Sequence, residues 1–307
     1  MGVRKRVAPK VTPNGAKRDE TAFLKPRLLN SHELPAWYAH NDYILTSYRP
    51  VTQSAHLCFR SLTYFHNETV NIYSHLIPAV TALLGNYLLH VYFSLQFPHA
   101  SWRDQLVFHI YLTTSVACFT ISSVYHTLLC HSSFFADLWA RLDYVAITFQ
   151  ILGSFVSGIY IGFYCEPRLQ KTYWSMITIL GLLTGFVVVH PRLQSKQWRS
   201  LRLSMFVATG FSAFAPIIHA SLIFPYTQLD QQAGLRYYYL EGLVMLAGVF
   251  FYATRFPESW KPRRFDIWGA SHQIFHLMVV AGAVIHWYGI LTAFQWNYIN
   301  QRCYTIP

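Results

Sequence analysis

Residues 270–292 read ASHQIFHLMVVAGAVIHWYGILT, and this stretch decides the fold. A membrane-spanning helix needs about 20 mostly apolar residues, and this stretch is long enough. His272 and His276 interrupt its apolar character near the start. A spacing of four residues puts both imidazoles on one helix face, which suits two ligands of a single metal ion. The stretch therefore predicts a membrane helix that also carries a pair of metal ligands.

Six further apolar stretches predict six more spanning helices, at 70–94, 105–129, 139–162, 172–190, 203–224 and 237–254. Hydrophobic residues make up 53% of the 307-residue chain and charged residues only 12%. Soluble domains carry about 25% charged residues, so this composition argues against a soluble enzyme. We predict an all-α fold, a seven-transmembrane helix bundle, in an integral multi-pass protein of the plasma membrane or an endomembrane.

Lysine and arginine are concentrated in residues 1–66 and in the loops after the fourth and sixth predicted helices. Cytoplasmic loops of membrane proteins carry an excess of these residues. The distribution predicts a cytoplasmic N-terminus and an external C-terminus. The net charge of +11 then reflects orientation, and no nucleic-acid partner is expected.

Four segments are predicted along the chain. They are a disordered basic cytoplasmic tail over 1–33, a juxtamembrane amphipathic segment over 34–66, the seven-helix membrane domain over 67–294 and a short external tail over 295–307. The basic tail either binds anionic lipid or only follows the orientation rule. The aromatic-rich juxtamembrane segment is expected to form short helices against the cytoplasmic face, with an ordinary linker as the alternative.

The cysteines and glycines give weaker signals. The five cysteines show neither CxxC nor zinc-finger spacing. Cys165 and Cys303 both fall on the predicted external side, so a disulfide between them is left open. Close helix packing, or a lipid-facing position, is expected for four glycines of the third and fourth helices: Gly153, Gly158, Gly181 and Gly185.

Ionisable side chains inside a bilayer are costly and mark functional sites. His126 lies near the end of the second predicted helix, and Asp143 lies near the start of the third. In a chain that crosses seven times, these two residues and the pair His272 and His276 fall on the same side of the membrane. Catalytic zinc sites have three protein ligands and one open position, and three histidines match that number. We therefore predict one zinc ion held by His126, His272 and His276.

Two residues are candidates for catalytic roles beside this zinc. Asp143 would hold a water molecule or a ligand N–H, although it can instead pair with Arg141 or Lys261. Ser122 lies four residues before His126 on the same helix face and would donate a hydrogen bond to a substrate oxyanion or to bound water. The alternative for Ser122 is a packing hydroxyl bonded to the carbonyl four residues earlier.

Other polar residues fit the predicted site less well. His75 is expected to pack, with a place beside the ligands as the alternative. Glu68 and Asn71 are interpreted first as a helix start and second as neighbours of the site. His286 and two other histidines, His109 and His219, fall toward the middle or outer half of their helices.

At these residues the sequence resembles the progestin and adipoQ receptor family, which includes adiponectin receptors, fungal osmotin-receptor and zinc-homeostasis proteins, and bacterial haemolysin III proteins. The resemblance covers about residues 34–292. The motifs that carry it are 34–37 (LPAW), 68–75 (ETVNIYSH), 122–126 (SSVYH), 141–144 (RLDY) and 272–276 (HQIFH).

The resemblance implies functional assignments that spacing alone does not give. The family's zinc ligands fall on His126, His272 and His276, and its aspartate near the zinc-bound water falls on Asp143. The family is linked to hydrolysis of ceramide amide bonds and to lipid and zinc homeostasis. Its adiponectin receptors have a cytoplasmic N-terminus, which agrees with the charge distribution.

Three hypotheses follow for the function. The first is a receptor with a zinc-dependent amidase activity on a membrane lipid such as ceramide. The second is a non-enzymatic receptor in which zinc joins the second and seventh helices and an extracellular protein ligand changes their packing. The third is a zinc or proton transporter, which is disfavoured because the ionisable residues are expected at one depth and not in a chain across the membrane.

Overall fold

The computed structural model describes residues 27–38, 41–300 and 303. Most of the predicted basic tail and of the predicted external tail therefore lies outside the described residues. Within the described residues the fold is all-helical, and the one β-contact is an isolated antiparallel bridge between Leu29 and Tyr48. The all-α expectation is confirmed.

Ten α-helices follow one another along the described chain. They are α1 (Ala55–Arg60), α2 (Thr69–Gln96), α3 (Trp102–Leu128), α4 (Ser133–Gly162), α5 (Pro167–Val189), α6 (Arg199–Phe211), α7 (Phe214–Ile223), α8 (Tyr226–Ala233), α9 (Leu235–Thr254) and α10 (Ser271–Ile299).

Among the described residues, six helical segments are long and apolar enough to cross a membrane: α2, α3, α4, α5, α10 and the combined segment Arg199–Ile223 of α6 and α7. The remaining predicted span, the sixth in chain order at 237–254, corresponds to α9, which is 20 residues long and carries the charged residues Arg236 and Glu241. The seven predicted stretches each correspond to a long helical segment, and the integral multi-pass prediction is confirmed.

The fifth predicted span is broken between Phe211 and Phe214. Pro216 lacks a backbone N–H, so it cannot bond to the carbonyl of Ser212 as a continuous helix requires. The chain forms a tighter turn there, in which the N–H of Ala213 bonds to the carbonyl three residues earlier, that of Gly210, at 3.1 Å. The span is therefore two short helices in series.

The short helix α8 was not expected from the sequence. It ends at Gly234, whose φ of +73° is in the left-handed region that favours glycine. A Cβ on Gly234 would also lie 2.9 Å from the carbonyl oxygen of Gly289 in α10. The glycine thus lets the turn between α8 and α9 pack directly on α10.

The bundle has two ends, which we name by residues that lie there. The His126 end carries the end of α3 and the starts of α2, α4 and α10, and the Cys165 end carries the opposite helix termini. At the Cys165 end, Cys165 and Cys303 form a disulfide. The sequence left this bond open.

The segment over residues 34–66 packs on the His126 end. Tyr38, Tyr48 and Cys58 are buried there in a cluster with Leu128 and Cys130. The expectation of short helices is met only by α1 and by a 3₁₀ turn at Ser61–Thr63. The described part of residues 34–53 forms turns and irregular structure instead, because its aromatic side chains fill gaps between helix ends rather than lie along one helical face.

Candidate metal centre

Three histidines from two helices converge at the His126 end. His126 comes from the last turn of α3, whereas His272 and His276 come from the first turns of α10. Each offers a ring nitrogen, and the three nitrogens all lie within 4.8 Å of one another. The Nε2 atoms of His126 and His272 are 3.3 Å apart. The structure therefore brings the three predicted ligands together.

The second ring nitrogen of two of these histidines is held by α2 and its N-cap. His126 donates from Nδ1 to the carboxylate of Glu68 at 2.8 Å, and His276 donates from Nδ1 to the carbonyl of Asn71 at 3.1 Å. Both acceptors lack a proton to give, so the hydrogen must sit on Nδ1 in each case. Each Nε2 then keeps a free lone pair for a metal ion, as the histidine ligands of metals usually do.

The donor set fits zinc. Neutral imidazoles are common zinc ligands, and nitrogens bound to one tetrahedral zinc lie roughly 3.3–3.4 Å apart, given Zn–N bonds of about 2.0–2.1 Å. The separation between Nε2 of His126 and Nε2 of His272 matches this value. The described residues thus fit a zinc ion with three protein ligands.

Asp143 and Ser122 lie on the wall of the same cavity as the three histidines. The cavity has a volume of about 1060 Å³ and extends from the histidines toward the middle of the bundle. Asp143 forms no ion pair with Arg141 or Lys261 among the described residues. The side chain of Lys261 instead lies over the ring of Trp260. Asp143 therefore lies on the cavity wall with the three histidines and does not pair with a basic residue at the membrane interface.

Arg49 holds the end of α3 that carries His126. Its guanidinium is fully buried and donates to the carbonyls of His126 at 2.6 Å and Thr127 at 2.9 Å, and also to Ser61 Oγ at 2.8 Å. The last carbonyls of a helix lack partners within it and carry partial negative charge, so a cation is favoured there. Sequence reasoning missed this residue, because an arginine outside the predicted spans looks like an orientation signal.

Glu258 performs the corresponding task at the start of α10. Its carboxylate is fully buried and accepts hydrogen bonds from the backbone N–H of Ser271 at 2.7 Å, from the hydroxyl of Ser271 and from the amide of Asn41 at 3.0 Å. An acidic group is favoured at a helix N-terminus. Glu258 thus fixes the turn that presents His272, and nothing in its local sequence indicated this.

Two histidines lie against the site without belonging to the ligand set. His75 stacks on His276, with ring centroids 3.8 Å apart and planes 5° from parallel. His66 accepts the backbone N–H of Glu68 on Nδ1 at 3.1 Å. Burial, together with the charge of Arg49, lowers the pKa of His66 to about 3. A neutral His66 is what this acceptor role requires.

A second buried polar cluster lies farther along the cavity. His286 bonds to Glu241 through Nδ1 at 2.9 Å and to Ser157 through Nε2 at 3.2 Å. It lies about 15 Å beyond His276 along α10, at a rise of 1.5 Å per residue. The expectation that ionisable residues occupy one depth is therefore wrong. Glu241 of α9 bonds to His286, and this partner stabilises a second buried histidine in the middle of the bundle.

Comparisons with known proteins agree with this fold and site. Residues 63–287 match the family described as "Haemolysin-III related". The chain is 35% identical over 274 residues to the "Adiponectin receptor protein" of Drosophila melanogaster, which covers 89% of this chain and 61% of the fly protein. It is 34% identical over 304 residues to the "ADIPOR-like receptor IZH2" of Saccharomyces cerevisiae, covering 98% and 94% of the two chains. It is 32% identical over 357 aligned positions to "Heptahelical transmembrane protein 4" of Arabidopsis thaliana, covering 90% and 91%.

The fold and the histidine cluster define a class: a heptahelical membrane protein with a candidate metal centre inside the bundle. The chain belongs to the haemolysin III-related family and resembles its adiponectin-receptor-like members. The family expected from the sequence motifs is confirmed. The chain spans less than two thirds of the fly protein's length but nearly all of the yeast protein's.

Proposed function

We propose that this protein is a receptor of the adiponectin-receptor type that holds one zinc ion and hydrolyses an amide bond in a membrane lipid. The observation that carries this proposal is the convergence of three histidines at the wall of a large cavity within the bundle. Three protein ligands leave one zinc position open, as catalytic zinc sites do and structural sites do not.

Zinc bound by His126, His272 and His276 would polarise a carbonyl and lower the pKa of a water molecule. The remaining chemistry belongs to the chain. Asp143 on the cavity wall accepts the proton of the attacking water and returns it to the leaving nitrogen. Ser122 on the same wall donates a hydrogen bond to the carbonyl oxygen as negative charge develops there. Glu68 and Asn71 hold the ligand rings in orientation throughout.

The cavity supports a lipid substrate. Between the two polar clusters its wall carries apolar side chains from three helices, including Ile147, Ile151, Leu246, Val249 and Val279. An apolar channel that begins at the histidines fits a chain whose polar linkage lies at the metal. Ceramide, which the family resemblance suggests, has such an amide linkage with a long acyl chain.

The cysteine distribution supports a cytoplasmic His126 end. The disulfide of Cys165 and Cys303 lies at one end of the bundle, and the free thiols Cys58 and Cys130 lie at the other. Disulfides persist on the external side of membranes, whereas the cytosol keeps thiols reduced. We therefore propose the orientation that the charge distribution predicts, with the candidate zinc site facing the cytoplasm.

A second candidate is a non-enzymatic receptor in which zinc is structural. The observation in its favour is that the ligands come from α3 and α10, so one ion would join two helices. An extracellular protein ligand would then act by changing the packing of these helices. Transport of zinc or protons, the third candidate, is tested by flux into proteoliposomes compared with protein-free vesicles.

The deciding experiment measures fatty acid released from defined ceramides by purified, zinc-loaded protein. We expect Asp143→Asn to abolish release while zinc content stays near that of the wild type. Asp42→Asn, which removes an exposed carboxylate outside the helices, is the control for the loss of a negative charge. If the wild type releases no fatty acid from any ceramide despite full zinc content, the amidase proposal is wrong and the structural role remains.

A further inference from the structure

Two free thiols meet at the joint between the juxtamembrane segment and α3. Sγ of Cys58 in α1 lies 3.4 Å from Sγ of Cys130, which follows the end of α3. Both side chains are buried, with 0% and 1% of their surface exposed. A disulfide bond needs about 2.05 Å between the sulfur atoms, so a small movement of α1 is enough to close the gap.

The surroundings of Cys58 favour its thiolate. The hydrogen bond from the Cys130 thiol, together with Thr52 Oγ1 at 3.3 Å and the charge of Arg49, lowers the pKa of Cys58 below its usual range. Arg49 is fully buried, and its hydrogen-bond acceptors are neutral groups of Ser61, His126 and Thr127. The Glu68 carboxylate and a Cys58 thiolate therefore each partly balance this buried positive charge, and the thiolate is the reactive form of cysteine.

Access to the pair is through α1. This helix has six residues, which is too short to be stable alone, and its Leu57 and Phe59 are exposed at the surface. Local opening of such a segment costs less than global unfolding. Opening α1 exposes Cys58 while Cys130 stays attached to the end of α3.

We propose that Cys58 and Cys130 form an oxidation site for peroxide, at which a disulfide fastens the juxtamembrane segment to the end of α3. The Cys58 thiolate attacks one oxygen of hydrogen peroxide and the O–O bond breaks. Hydroxide is the leaving group, and Cys58 becomes a sulfenic acid. The Cys130 sulfur then attacks the Cys58 sulfur, the S–O bond breaks and water leaves. In total, two thiols and one hydrogen peroxide give one disulfide and two waters.

The bond would enclose residues 58–130, which include α2, α3 and the candidate ligand His126. A cross-link of this kind restricts the unfolded chain, so the oxidised protein is expected to unfold at a higher temperature than the reduced protein. This inference does not depend on the proposed hydrolysis, because disulfide formation is measured without any lipid or zinc.

The test treats the detergent-purified full chain with hydrogen peroxide, blocks the remaining thiols after denaturation and maps the peptides by mass spectrometry. We expect a Cys58–Cys130 linked peptide that disappears after dithiothreitol treatment. We also expect the oxidised protein to unfold at a higher temperature than the same protein after reduction with dithiothreitol. Cys118→Ser, which removes the third free cysteine, should leave the linked peptide unchanged, whereas Cys58→Ser and Cys130→Ser should each abolish it.

Two outcomes would overturn the proposal. One is that Cys58 and Cys130 both stay reduced, and therefore react fully with the thiol-blocking reagent, at peroxide concentrations that oxidise other residues of the protein. The other is that each is oxidised separately to sulfinic acid without any linked peptide. A folded Cys58→Ser variant with the same peroxide-induced rise in unfolding temperature as the wild type would contradict the proposed origin of that rise.

Discussion

The carboxylate of Glu68, at the N-cap of α2, accepts a hydrogen bond of 2.8 Å from Nδ1 of His126 at the end of α3. The same carboxylate oxygen accepts a second hydrogen bond of 2.6 Å from the amide of Asn71. This arrangement fixes both the tautomer and the ring orientation of His126. Glu68 is thus a positioning residue for the candidate metal centre, although its place in the sequence first suggested only the start of a helix.

Glu68→Gln should weaken zinc binding by about 10- to 100-fold, the usual cost of losing a carboxylate behind a histidine ligand. The amide keeps the size of the side chain but no longer favours the proton on Nδ1. Zinc affinity is measured by competition with a chelator of known strength. Glu33→Gln is the matched control, since Glu33 interacts with Arg27 and Asn30 away from the bundle. Equal affinities for wild type and Glu68→Gln would remove Glu68 from the site.

Arg49→Lys should lower the free energy of unfolding by about 2 kcal/mol, because a buried carbonyl that loses its donor costs about 1–3 kcal/mol. A lysine ammonium cannot reproduce the planar fork that reaches the carbonyls of His126 and Thr127 together. We also expect faster loss of zinc from the folded protein. Stability is measured by thermal unfolding in detergent, with the exposed Arg168→Lys as the control. A change no larger than that of the control would contradict this role.

Stability should fall as pH decreases below about 6.5, the ordinary pKa of histidine. His66 has a pKa lowered to about 3 in the folded protein, so between these values the unfolded chain binds the extra proton and the folded chain does not. Its contribution is therefore present above pH 6.5 and lost toward pH 3, with a slope of at most about 1.4 kcal/mol per pH unit. His66→Asn keeps an acceptor for the N–H of Glu68 and should reduce the slope. An unchanged slope would exclude His66 as its source.

Acid should also release zinc over the range in which histidine is protonated, because only neutral imidazole binds the metal. The expected result is full zinc content at pH 7.5 and loss near pH 5, reversed when the pH is raised with zinc present. Metal content after desalting at each pH is the measurement. Retention of the metal at pH 4 would point to ligands other than these histidines.

Gly153→Ala should destabilise the bundle by about 1–3 kcal/mol, the usual cost of overpacking. A Cβ at this position would overlap the side chain of Thr114 in α3. Gly185→Ala is the matched control in α5, since nothing lies within 4 Å of the Cβ it would add. We expect the control to be neutral or slightly stabilising, because alanine favours helix. Equal unfolding temperatures for the two variants would argue against the close contact of α3 and α4.

The sequence predicted the long helices and the three converging histidines, because apolar length and the one-sided spacing of His272 and His276 depend on local order alone. It did not predict the residues that hold the site. Arg49 and Glu258 lie outside the spans, and their partners lie at helix ends far away in the chain. The pairing of His286 with Glu241 was missed for the same reason, since it depends on how α9 packs against α10. Helix breaks such as that before Pro216 were predictable in principle from the proline alone.

The central claim is tested most directly by the metal content of the detergent-purified protein, compared with the double variant His272→Ala/His276→Ala. His219→Ala serves as the control, because His219 bonds to Tyr173 away from the cluster. We predict about one zinc per chain in the wild type and in the control, and none in the double variant. A wild-type protein that holds no zinc after incubation with the metal, or a double variant that keeps it, would contradict the claim.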